Sequence, residues 1–148
     1  MSSGCRPCDH ESGVLRPPGG VLWQDDRWRL CQWEGYEVPG WLFLELRRHA
    51  EGLWSLNRQE REELGDLLWR TSLALRKWEG CEKVYAVAFG ENVPHFHVLL
   101  VARTEETPPS HRGGTLVTRA GAMRDPEAAA AFCAWVRRPP RATPADPA

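Results

Sequence analysis

Apolar positions along the chain fall into five short extended runs and one long periodic one. Residues 21–24 and 28–33 are aromatic and aliphatic, and Asp25-Asp26 between them suits a hairpin turn. Pro39-Gly40 breaks the chain before a third run at 41–46, which Arg47-Arg48-His49 closes. Upstream, residues 1–12 read as a loop. Val14-Leu15 reads as a short strand before the Pro17-Pro18-Gly19-Gly20 turn.

The spacing changes after Asn57. Leu64, Leu67, Leu68, Thr71, Leu75 and Trp78 recur every three or four residues while Glu62, Glu63, Asp66 and Arg70 fall elsewhere, which predicts an amphipathic helix over 57–78. Asn57 followed three residues later by Glu60 has the form of a capping box, and Gly80 suits a terminator. Period-two strands are predicted over 83–89 and 93–103, joined by a tight turn at Gly90-Glu91-Asn92. From 104 the composition is Gly-, Pro- and Ser-rich and predicts a loop. Asp125-Pro126-Glu127 then opens an Ala-rich helix to about Arg137. The Pro- and Ala-rich residues 139–148 predict a disordered tail.

Three strands, a long helix and two strands, mostly joined as hairpins, make an α+β architecture. The expectation is an antiparallel sheet of five or slightly more strands, with one long helix and a short C-terminal one, formed by residues 1–138 as one domain. At 148 residues the chain is long enough for a sizeable core.

Within the last strand, period two puts His95, His97 and Leu99 on one face and Phe96, Val98 and Leu100 on the other. Two imidazoles thus stand side by side, roughly 6–7 Å apart at Cβ. Such a pair can ligate a metal, act as a nucleophile with its helper, or sit at a polar surface.

Charge and cysteine usage narrow the classes. A net charge of −1 argues against a general affinity for nucleic acid or anionic membrane. No apolar run approaches a membrane span, and the polar first ten residues are no signal peptide, so a cytoplasmic protein is expected. Eight tryptophans are many for this length and point to core or pocket walls. Five cysteines without a secretion signal argue poorly for disulfides. Cys31, Cys81 and Cys133 read as small buried hydrophobes, and His10 and His111 as exposed loop residues. Cys5 and Cys8 differ, because Cys-x-x-Cys supplies two thiolates from one turn, half of a tetrahedral zinc site.

His95-Phe96-His97-Val98-Leu99-Leu100-Val101, preceded by a strand ending at Phe89-Gly90-Glu91 and closed by Arg103, resembles the signature of the histidine triad (HIT) family of nucleotidyl hydrolases and transferases. That signature is His-φ-His-φ-His-φ-φ, and its third histidine is Leu99 here. The resemblance covers about residues 5–105. It implies a structural zinc held by Cys5, Cys8, His49 and His95, the ligand set of the family's zinc-bearing members; four protein ligands leave no open position. It implies His97 as the nucleophile toward a phosphoester, phosphoanhydride or phosphoramidate. Asn92 stands where some members place a serine that assists the leaving group.

The substrate side departs from the family. Leu99 replaces a side chain that hydrogen-bonds phosphate, Trp33 (or Glu34, if the register slips by one) stands at the position of the ribose-binding Asp or Asn, and Trp41 replaces a histidine after the turn glycine. Arg103 matches the arginine that closes the signature and can bind phosphate or form a salt bridge. The resemblance therefore implies a small, nucleotide-like substrate in a divergent pocket, and a homodimer. Two alternatives stay open: a HIT-fold protein that has lost nucleotidyl transfer and acts as a ligand-binding or specialised biosynthetic protein, and a zinc-stapled scaffold acting through dimer surfaces.

Overall fold

The computed structural model describes residues 1–138; the expected tail at 139–148 lies outside the described residues. The elements are α1 (Arg6–Ser12), β1 (Trp23–Gln24), β2 (Trp28–Cys31), β3 (Trp41–Leu46), α2 (Arg58–Arg76), β4 (Cys81–Val87), β5 (His97–Thr104), α3 (Gly114–Val117), α4 (Ala120–Met123) and α5 (Pro126–Val136). The strands form one five-stranded antiparallel sheet in the order β1-β2-β3-β5-β4, so the α+β expectation holds.

Central position explains the composition of β3 and β5. Every residue of β3 is buried, as are the six inner residues of β5, because helices cover both faces of the sheet there. On one face Leu42, Leu44, Leu46, Phe96, Val98 and Leu100 meet Leu67 and Leu75 of α2 and Phe132 of α5. On the other, Trp33, Trp41, Phe43, Leu99 and Val101 meet Leu116 of α3 and Ala120 of α4. Each such side chain contributes about 1.5–3 kcal/mol by leaving water. Register follows: Phe43 pairs with Leu99 and Glu45 with His97 across β3 and β5.

Helix α2 begins as its sequence dictates. Asn57 Oδ1 accepts from the Glu60 amide at 2.9 Å and Glu60 Oε2 from the Asn57 amide at 2.8 Å, closing the capping box. Gly40, before β3, has φ +86°, and a Cβ there would lie 3.0 Å from that of Ala102, so the Pro39-Gly40 turn needs glycine for conformation and space.

Five expectations are corrected. The first twelve residues contain α1, with Cys5 as its N-cap, and not only a loop. Val14 and Leu15 form no strand, and β5 starts at His97, because Pro94 donates no ladder hydrogen bond and the chain turns where the His95 amide meets the Val93 carbonyl at 2.8 Å. The segment 104–125 folds into a 3₁₀ turn and the short helices α3 and α4. His10 is buried against Glu45, 3.1 Å from both carboxylate oxygens. Among the described residues no helix is long and apolar enough to cross a membrane.

Candidate functional site

Two chain ends converge on the cysteine pair. Leu46, at the end of β3, donates its amide to the Phe96 carbonyl at 3.1 Å, and Phe96 donates to the Ala50 carbonyl at 2.6 Å. This pairing sets His49 beside His95, ring centroids 5.1 Å apart. Cys5 and Cys8, three residues apart at the start of α1, lie on the same side of it. Cys5 Sγ lies 3.7 Å from His49 Nδ1 and 3.2 Å from His95 Nδ1; Cys8 Sγ lies 3.5 Å from each. All four donor atoms fall within 4.8 Å of one another.

Those spacings fit a tetrahedral zinc. Zinc–sulfur and zinc–nitrogen bonds of about 2.3 and 2.05 Å at tetrahedral angles require sulfur–nitrogen separations of about 3.5 Å. The tautomer fits as well. His95 Nε2 lies 2.6 Å from the Leu46 carbonyl oxygen, which only accepts, so Nε2 carries the proton and the Nδ1 lone pair faces the thiols. Burial and the adjacent Cys5 thiol push the Cys8 thiol up to about 11, so only a cation would hold it as thiolate near neutrality.

Next to this cluster, His97 stands on the opposite sheet face from α2 and lines a groove of about 750 Å³. His97 Nδ1 lies 2.6 Å from the His95 carbonyl oxygen and must donate to it, which leaves Nε2 as the unprotonated nitrogen. Burial lowers the His97 pKa and keeps the ring neutral. Trp33 stacks on Phe43 at 4.1 Å and lies 4.5 Å from the His97 ring, so the imidazole is wedged against two aromatic neighbours.

Beneath them lies a carboxylate with no exposed surface. Glu45 accepts from Arg29 at 2.9 Å, from the Trp33 indole at 2.9 Å and from His10, and Arg29 also reaches Glu11. Burial alone would raise the Glu45 pKa, but the hydrogen bonds from His10, Arg29 and Trp33 outweigh it and hold the carboxyl below its usual range. The pair bonded to Trp33 thereby fixes the indole over His97.

Of the residues named from sequence, Trp33, Asn92, His97 and Leu99 line the groove together. Leu99 is 4% exposed and presents only methyl groups beside His97. Trp41 does not reach the groove; it is buried in the core below. Arg103 is also absent from the lining and forms an ion pair with Glu82. Sequence reasoning missed Arg6, His10 and Glu45. A single acid inside the otherwise apolar run 41–46 was the available signal, since a buried carboxylate demands partners. Arg6 was hidden between the two cysteines.

No family model and no curated protein matches the sequence. Solved structures do match. A hypothetical histidine triad nucleotide-binding protein from Sulfolobus tokodaii aligns with TM-score 0.70 and 14% identity, covering 90% of this chain and 89% of that one. A Hit-like protein from Bartonella henselae, described as involved in cell-cycle regulation, aligns at 0.67 and 11%, covering 87% and 90%. A histidine triad protein from Bradyrhizobium japonicum aligns at 0.63 and 24%, covering 79% and 87%. Sheet order, helix placement and the histidine-bearing strand thus give this chain the fold of the histidine triad proteins.

Proposed function

We propose that this protein is a HIT-like nucleotidyl hydrolase or transferase with a divergent substrate pocket, in which His97 is the nucleophile. The observation that carries this reading is the hydrogen bond from His97 Nδ1 to the His95 carbonyl, which aims a bare Nε2 at an open groove. Nε2 donates its lone pair to the phosphorus of a phosphoester, anhydride or phosphoramidate. A P–N bond forms as the bond to the leaving group breaks, and the leaving group takes up a proton. The resulting positive charge on the ring is shared with the His95 carbonyl and the field of Glu45. Water or a second acceptor then attacks phosphorus and restores His97. Asn92, at the groove wall, supplies a hydrogen-bond donor to the leaving group.

Cys5, Cys8, His49 and His95 would hold zinc. The metal would supply a structural staple between α1 and the ends of β3 and β5. An isologous dimer is also proposed: edge strand β4 leaves three of its seven residues exposed, and Trp69 and Leu73 project outward from α2.

Leu99 favours a second reading. It removes a phosphate donor beside the nucleophile, as expected of a HIT-fold protein that binds a ligand without transfer. Incubation with nucleoside phosphoramidates and dinucleoside polyphosphates, followed by intact mass, separates the two. A nucleotidyl adduct absent from His97→Ala supports transfer, and no adduct with any substrate supports binding alone.

A further inference from the structure

Arg6 sits between the two thiols, on the first turn of α1, and its side chain reaches the groove that His97 lines. Its guanidinium lies 5.1 Å over the Trp33 ring, while the His97 ring lies 4.5 Å from the same indole. The two groups therefore border the same indole and line one groove. Among the described residues Arg6 forms no ion pair, whereas Arg27, Arg29, Arg47 and Arg48 are all paired with carboxylates. One of its N–H groups donates to the Glu34 carbonyl at 2.6 Å. A guanidinium has several more, in a fork suited to two phosphate oxygens.

The groove offers an anion no second cationic side chain. Arg6 is the one arginine or lysine among its lining residues, and Leu99 has no donor. The indole N–H of Trp33 is already given to Glu45, so that position cannot hold a pair of sugar hydroxyls. Glu91, Asn92 and Thr118 are further polar side chains of the lining, and Tyr36, Val87, Phe89, Val93 and Val117 give it an apolar wall.

We propose that Arg6 is the anion-binding side chain of this groove and that its preferred ligand is a phosphate monoester or diester carrying an apolar group, with nucleoside phosphates accepted but not preferred. This rests on the reading of His97 as the group that meets phosphorus. Arg6 neutralises phosphoryl oxygens in the groove that it shares with His97, whose nitrogen faces phosphorus. Cys5 and Cys8 stand on both sides of Arg6 in the chain, so a metal held there would also position this charge.

The test is a binding titration of the zinc-loaded protein followed by ³¹P and ¹H NMR, with phenyl phosphate, benzyl alcohol and adenosine 5′-monophosphate as probes. Phenyl phosphate should bind about ten- to a hundredfold more weakly to Arg6→Gln than to the natural chain, with Arg6→Lys between them. Benzyl alcohol should bind all three alike, and the nucleotide should bind no more tightly than phenyl phosphate. His97→Ala should retain the Arg6-dependent difference, so a failed nucleophile with this difference intact sinks only the transfer chemistry. Equal phenyl phosphate affinity in Arg6→Gln and the natural chain would overturn the anion site. A nucleotide bound tenfold more tightly than phenyl phosphate would overturn the apolar ligand class.

Discussion

His95 holds His97 through its backbone while its own ring faces the thiols: the carbonyl oxygen of His95 lies 2.6 Å from His97 Nδ1, and its Nδ1 lies 3.2 Å from Cys5 Sγ. One residue thus joins the two halves of the site. A metal bound at the cysteines would fix the peptide that sets the tautomer of His97. The double variant Cys5→Ser, Cys8→Ser should therefore lose about one equivalent of zinc by elemental analysis and melt lower by about 10 °C. Unchanged metal content would remove the zinc assignment.

In the proposed transfer reaction Leu99 would limit the rate. It faces the groove beside His97 and offers no hydrogen bond where charge develops on phosphoryl oxygens. Replacing it by histidine should raise kcat/KM for a nucleoside phosphoramidate by about a hundredfold, whereas Leu99→Ala should not. A Leu99→His protein no faster than the natural chain would mean that this position does not limit turnover.

Glu45 anchors the polar layer under the groove. Removing its carboxylate leaves the buried Arg29 guanidinium and the Trp33 indole without that acceptor. Glu45→Ala should cost about 3–5 kcal/mol in urea unfolding, and Glu45→Gln less, because the amide still accepts one bond. A loss under about 1 kcal/mol for Glu45→Ala would show that the network contributes no net stability.

Acid stability has a separate source. Hydrogen bonds from Arg47, and then from Arg29, hold the Glu11 carboxyl at about 2, below its ordinary 4.5. A carboxylate whose pKa falls on folding stabilises the native state above its unfolded value and loses that contribution as pH drops through the folded one. The difference in Tm between the natural chain and Glu11→Gln should be constant above pH 5 and shrink between pH 4.5 and 2. A difference independent of pH would assign the effect to packing.

Strong local periodicity was legible, and long-range support was not. The capping box at Asn57 and Glu60, the run 41–46 and the two strands around Gly90 all express themselves in neighbouring residues. Helix α1 spans only seven residues, too short for a periodic signal, and gains its support from distant partners such as Glu45 against His10. The four-residue helices α3 and α4 carry one buried side chain each, Leu116 and Ala120, set among glycines. His10 looked exposed because its acceptor lies 35 positions away. Trp41 and Arg103 share a sheet face with the groove residues, yet strand period alone could not show that one ends in the core and the other against Glu82.

Intact mass and ³¹P NMR of the zinc-loaded protein, taken seconds after mixing with a nucleoside phosphoramidate, measure the central step directly. A nucleotidyl adduct with a phosphohistidine resonance, present in the natural chain and missing from His97→Ala, is the expected result. An adduct that persists in His97→Ala would place the nucleophile elsewhere and contradict the account.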